Sequence, residues 1–307
     1  MKIAVLMLVH KNKDQFERLV SRMQHENIDI FVHLDKKAGW EPSQCNLPNV
    51  IFTQNRYDVG LFEFSMIEAE KELLHTAKRH GHYRYFILMS GQCYPLVKMN
   101  VLHDYLATHY PEPMIEIVAP KEDNYVKVNF KHVYILKRFK IKTYDFLKKH
   151  FSYKGYRALR YIPGGFTYAV SALKELFVSS PQKRLDKRGI PTYCGSQWWV
   201  LPDTVIENVL PFFENKEYCQ IVYDTFSCDE TFFQTAIMAN QEKNGIVTDE
   251  EGNYMNRRWY YIFNEGHPIL LNEDHLPEML GSGMLFARKF DPNYNNAVLD
   301  QIDNHLA

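Results

Sequence analysis

Apolar and polar positions change period along this chain, and the changes mark out its elements. Ile3 to Val9 is apolar without a break, the pattern of a strand buried on both faces. Asp14-x-x-Glu17 then reads as a capping box, followed by Phe16, Leu19, Val20 and Met23 at helical spacing. Ile28, Ile30, Val32 and Leu34 alternate with more polar neighbours and predict a second strand ending at Asp35. Val50 to Thr53 predicts a short third strand. Residues 64–79 read as a helix with Ile67, Leu73, Leu74 and Ala77 toward the core. Tyr85 to Met89 is a further buried strand ending at Ser90-Gly91, 99–109 is helical, and Met114 to Val118 is again a strand.

Strands alternating with helices predict an α/β fold with a mostly parallel central sheet flanked by helices. Ligands of such sheets bind at the carboxyl ends of the strands. Those ends are His10-Lys11, Asp35-Lys36-Lys37, Ser90-Gly91-Gln92 and Glu116, and all are polar. Neither G-x-G-x-x-G nor G-x-x-x-x-G-K-[ST] occurs, which disfavours dinucleotide and P-loop sites.

The 307 residues carry a net charge of −1, with 46% hydrophobic and 24% charged positions. That balance leaves no global footprint for nucleic acid or membrane. Locally, residues 121–160 hold twelve Lys/Arg against three Asp/Glu, interleaved with Tyr and Phe. The segment reads as a solvated basic face, or as a contact for an anionic membrane surface or an anionic acceptor. No RNA-recognition or helix-turn-helix signature accompanies it, so no nucleic-acid partner is expected. The five cysteines, at 45, 93, 194, 219 and 228, are odd in number and irregularly spaced. They fit neither a structural zinc nor a disulfide framework. The apolar start is short for a signal peptide, and no stretch approaches the ~20 apolar residues of a membrane span. The expectation is a cytoplasmic protein, with peripheral contact to the membrane's inner face through 121–160 as an option.

The candidate chemistry lies toward the C-terminus. Asp229-Glu230 precedes an apolar, helix-compatible run. Asp229 is open to reading as an N-cap with Glu230 as a first-turn carboxylate. Alternatively, Glu230 is a general base for an attacking hydroxyl. Positive charge gathers in Arg257, Arg258, Arg288 and Lys289. Arg258 and Lys289 together would neutralise a leaving pyrophosphate without a metal. Gly281-Ser282-Gly283 reads as a loop entering a strand that carries Lys289. Gly195-Ser196 beside Trp198-Trp199 offers a tight turn with an apolar plate, suited to a sugar ring or to the core. His75, His80 and His82 lack a ligand pattern, and no metal site is predicted. No Asp-x-Asp occurs anywhere.

Taken in order, LVHK, VHLDKKA, FILMSGQCYPL, GSQWWVL, SCDETFFQT, NRRWYYI and GSGMLFARKFD resemble the core-2/I-branching β-1,6-N-acetylglucosaminyltransferases and the related peptide O-xylosyltransferases, glycosyltransferase family 14. The match runs from about residue 1 to 291. The resemblance implies one GT-A-like domain over 1–307, nucleotide-binding in about 1–120 and acceptor-binding and catalytic in about 121–307. It implies a UDP-sugar donor, most simply UDP-GlcNAc, inversion at the anomeric carbon, no metal or cofactor, and a glycan or lipid-linked glycan acceptor. Glu230 takes the position of the catalytic base. Arg258 and Lys289 take those of the diphosphate ligands. Val9, His10, Lys11, Asp35, Lys36 and Lys37 fall at the nucleoside pocket. Glu116, Ser196, Trp198 and Asp229 fall toward the acceptor. Xylosyl or glucosyl transfer, and a non-catalytic carbohydrate-binding protein, are the alternatives. Three departures stand out. Cys228 replaces a proline, Cys93 an aspartate, and the disulfides and anchor of the animal Golgi enzymes are absent. The last of these points to a bacterial, cytosolic member whose acceptor is a surface polysaccharide or lipid-linked precursor.

Overall fold

The computed structural model describes residues 1–60, 63–119, 181–225, 227–264 and 267–307. The basic stretch 121–160 therefore lies outside the described residues. Strand β1 (Ile3–Val9) is buried at all seven positions, as an uninterrupted apolar run requires. It pairs in parallel with β2 (Ile28–Leu34) on one side and β4 (Tyr85–Ser90) on the other. Outside β2 lies β3 (Val50–Phe52), also parallel. Outside β4 lies β8 (Trp199–Pro202), which is antiparallel. The order β3-β2-β1-β4-β8 is thus the expected mostly parallel sheet, with one reversed edge strand.

Register sets what this sheet presents. Val9 pairs with Leu34, so β1 and β2 end together, and Asp35 N donates 2.8 Å to the Val9 carbonyl. β4 ends beside them, with Gly91 N on the Leu8 carbonyl at 3.0 Å. Helices α1 (Lys13–Arg22), α2 (Ser65–His80) and α3 (Met99–His109) connect these strands. The Asp14-x-x-Glu17 capping box does not form. Helix α1 starts two residues earlier, after Asn12 in the left-handed region at φ 53°, with no side-chain cap. Glu17 instead pairs with Lys13 at 2.6 Å, one turn away.

Two smaller sheets are laid against this frame. In one, β5 (Cys93–Pro95) runs antiparallel to β13 (Phe286–Arg288), which is parallel to β10 (Trp259–Tyr260). In the other, β6 (Glu116–Val118) lies between β7 (Cys194–Gly195) and β9 (Tyr254–Met255). Met114, expected within a strand, makes an isolated bridge to Val200. Helix α5 (Asp203–Glu214) packs on the reversed strand, α6 (Lys216–Tyr223) and α7 (Phe232–Met238) pack on α5, and α4 (Pro181–Asp186) packs on α6. Hairpin β11 (Phe263–Asn264) and β12 (His267–Pro268) precedes α8 (Leu276–Gly281). Helix α9 (Ala297–Leu306) closes the chain. Its Asp300 and Asp303 hold Arg18 at 2.6 and 2.8 Å, and Asp303 also accepts from Tyr94 at 2.7 Å. One carboxylate-rich helix face thereby fastens α1 to β5. No disulfide joins the five cysteines. Among the described residues no helix is long and apolar enough to cross a membrane.

Candidate active site

Glu230 ends a 3-10 turn, Cys228–Glu230, that separates the preceding loop from α7. Thr231 N bonds the Cys228 carbonyl at 3.2 Å, and Thr231 Oγ1 bonds the Ser227 carbonyl at 2.8 Å. This turn removes Asp229 from the N-cap of α7. Thr231, not Asp229, occupies the N-cap of α7, while Asp229 is buried inside the turn at 4% exposure. Glu230 instead lines a cleft of about 110 Å³ with Glu116, Ser196, Trp198, Tyr261 and Arg288 among its walls.

The cleft is assembled from distant segments. Glu116 opens β6, and its Oε2 accepts 2.8 Å from the Tyr261 hydroxyl and 3.2 Å from Arg257 Nη1. Arg257 also lies over the Tyr261 ring at 4.6 Å. Burial, and next the Glu116 charge, push the Tyr261 phenol up to about 12, so it remains a neutral donor. Phe263 stands edge-on to Tyr261 at 5.1 Å and is 56% exposed. It leaves an apolar rim of the kind against which a sugar ring stacks. Gly195 sits where a Cβ would come 1.9 Å from the Glu116 carbonyl oxygen. Only glycine lets β7 approach β6 this closely. Ser196 Oγ accepts from Trp198 N at 3.2 Å and fixes the loop turn. Ser196 O accepts from Gln234 Nε2 of α7 at 2.7 Å.

Of the two tryptophans, Trp199 belongs to the core, 4.9 Å from Phe233. Trp198 lines the cleft, but the Arg288 guanidinium already lies over its ring at 4.5 Å. The Tyr261 ring likewise carries Arg257, so the open aromatic surface is supplied by Phe263. Burial lowers the pKa of Arg288, and the negative charges around it, those of Glu230 and Asp229 among them, act the other way. Its Nε is buried and makes no hydrogen bond among the described residues.

Arg257 and Arg258 take different partners. Arg257 serves the cleft, whereas the Arg258 guanidinium lies over Tyr105 of α3 at 5.6 Å. Arg258 is thus engaged with Tyr105, and the cations that act on Lys289 are Arg288 and Lys11. Neither arginine could be chosen from sequence, because the choice depends on partners, Glu116 and Tyr105, that lie more than a hundred residues away.

At the strand ends, Lys289, Lys11 and His10 share one electrostatic neighbourhood. Partial burial, then Lys11 and Lys289, lower the His10 pKa. Burial, then Arg288 and Lys11, lower that of Lys289. Lys11 Nζ pairs with Asp291 Oδ2 at 2.5 Å, and Asn12 Nδ2 reaches Oδ1 at 3.2 Å. Asp35 is 3% exposed, and its carboxylate is already engaged. Oδ1 accepts from Lys37 N at 2.7 Å and Oδ2 from Val59 N at 3.2 Å. It tethers the 57–60 loop to the end of β2. Lys37 Nζ turns to Asp58 and to the Val59 carbonyl at 2.7 Å. Lys36 is exposed. The Val9 side chain is buried at 1%, so its backbone alone is near the edge. Among the described residues no group of three His, Cys, Asp or Glu is placed to hold a metal ion.

Comparison with known proteins agrees with this architecture. The chain is 22% identical over 312 residues to a mouse (Mus musculus) protein, beta-1,3-galactosyl-O-glycosyl-glycoprotein beta-1,6-N-acetylglucosaminyltransferase 4. The alignment covers 94% of this chain and 62% of that relative. The family model of the Core-2/I-Branching enzyme matches residues 3–259. That span holds Glu116, the Ser196–Trp198 loop and Glu230, while Arg288 and Lys289 are brought to the site from beyond it. With its mixed α/β sheet and a match over most of its length, the chain belongs to the Core-2/I-Branching enzyme family.

Proposed function

We propose that this protein is an inverting glycosyltransferase that moves a sugar, GlcNAc in the first instance, from a UDP-sugar to a hydroxyl of a glycan acceptor, with Glu230 as general base and without a metal. One observation carries the reading. Glu230 faces the same cleft as a polar-aromatic wall (Glu116, Tyr261, Phe263) and a largely buried cation, Arg288. The acceptor hydroxyl gives its proton to the Glu230 carboxylate while its oxygen bonds to the anomeric carbon. The bond from that carbon to the diphosphate oxygen breaks, and UDP departs with the electron pair. The charge that grows on the leaving diphosphate is larger in the transition state than in the ground state, so cations placed there accelerate the step. Lys289, with Lys11 and His10 beside it, supplies that charge at the carboxyl ends of β1 and β2, where α/β sheets bind nucleotides. The exposed Phe263 offers the acceptor a stacking face, and Glu116 accepts its hydroxyls.

The test is thermal stabilisation of the purified protein by nucleotides and UDP-sugars, with and without EDTA, followed by transfer to an acceptor panel. Stabilisation by UDP and one UDP-sugar that survives EDTA, with transfer of that sugar, is the expected result. A shift abolished by EDTA would remove the metal-independent part. No shift with any nucleotide would remove the donor.

A further inference from the structure

Helix α2 turns one carboxyl group inward. Its buried positions are Ile67, Ala69, Glu70, Leu73, Leu74 and Ala77, and Glu70 is 0% exposed. A leucine would complete that stripe, whereas a carboxyl group there carries a desolvation cost. The side chain has one specific engagement: Oε1 accepts 2.8 Å from Gln197 Nε2. Oε2 is buried and makes no hydrogen bond among the described residues. Burial pushes the Glu70 carboxyl well above its ordinary value; the Gln197 bond opposes that rise and the Asp229 charge adds to it.

Gln197 stands between Ser196 and Trp198, and all three line the cleft. The loop is fastened from its other side by Gly195 against the Glu116 carbonyl and by Gln234 on the Ser196 carbonyl. Helix α2 also packs against the turn that carries Glu230. Glu70 therefore lies where one helix touches both the cleft loop and the catalytic turn.

We propose that Glu70 is a positioning residue: through Gln197 it holds the Ser196–Trp198 wall, and with it the ring on which Arg288 rests, in register with Glu230. This rests on the reading of the cleft as the transfer site. A residue that only fills the core would be replaced by leucine without loss of rate. A residue that positions the loop would not, however stable the variant.

Three variants test this: Glu70→Leu, Glu70→Gln, and Glu70→Gln combined with Gln197→Glu, which exchanges the partners. Glu70→Leu is expected to melt no lower than wild type and to bind UDP as wild type does. Its kcat/KM for acceptor should fall, by up to about 100-fold for a displacement near 1 Å. Hydrogen exchange at residues 195–198 should rise while exchange in β1 and β4 stays unchanged. Glu70→Gln, whose amide oxygen still accepts from Gln197, recovers most of the rate, as does the exchanged pair. Wild-type rate and exchange in Glu70→Leu would overturn the proposal. So would a rate that falls only together with melting temperature and UDP affinity and is not recovered by Gln. A wild-type protein that transfers no sugar would sink the transferase reading separately, and exchange at 195–198 would still decide the role of Glu70.

Discussion

The strand-end edge and the cleft differ in how they are assembled and in what their charges are already doing. Along the edge, His10, Lys11 and Asp35 follow directly on strands that end in register. Their acids are engaged internally: Asp35 on the backbone of Lys37 and Val59, Asp291 on Lys11. In the cleft, Glu116, Gln197, Glu230, Tyr261 and Arg288 come from five separate segments. The edge is thus a scaffold whose acids hold loops and also pair with Lys11 and Lys37, with Lys289 adding positive charge beside them. The cleft concentrates cation, carboxylate and aromatic faces around one small volume. Where the carboxylates are already engaged, an added cation such as Lys289 suits an anionic donor. Where a carboxylate lines a cleft, proton transfer is available.

That contrast breaks most sharply at Glu230. Glu230→Gln should cost roughly 10²–10⁴ in transfer rate while UDP affinity, read by calorimetry, stays near wild type. Equal losses of both would merge the two regions. Arg288→Ala comes next. Removing a preorganised cation from the cleft should cost about 10²-fold in rate. An unchanged rate would restrict Arg288 to packing on Trp198. Gly195→Ala forces a Cβ into the Glu116 carbonyl and should destabilise by about 1–3 kcal/mol, lowering melting temperature and acceptor turnover together.

On the edge, Lys289→Ala should weaken UDP binding by about tenfold, the ~1.4 kcal/mol of one charged contact. The pH sign follows from its lowered pKa. A lysine so shifted loses its proton earlier as pH rises, so UDP affinity should begin to fall at a lower pH than an ordinary lysine gives. Lys289→Arg should abolish that fall, and an affinity flat up to the ordinary lysine range would remove Lys289 from the site. The smallest effect belongs to Arg258→Ala. It removes a contact with Tyr105 worth about 0.5–1 kcal/mol and should leave UDP affinity unchanged. A large loss of UDP binding would return Arg258 to the diphosphate.

What the sequence determined by itself is the frame and one half of the site. Continuous apolar runs at 3–9 and 85–89 and the alternation at 28–34 read as sheet strands, and polar residues at the ends of parallel strands meet at one edge. The order of motifs was also enough to place the chain among its relatives. Local periodicity says nothing of which side an irregular loop faces, and there the tertiary structure decided. It turned Arg258 to Tyr105 and Arg257 to Glu116. It spent one face of Trp198 on Arg288 and gave the open rim to Phe263. It also gave Glu70, at zero exposure on the apolar stripe of α2, its distant partner Gln197. Burial and pairing are properties of segments brought together from a hundred residues apart, and no window of the chain contains them.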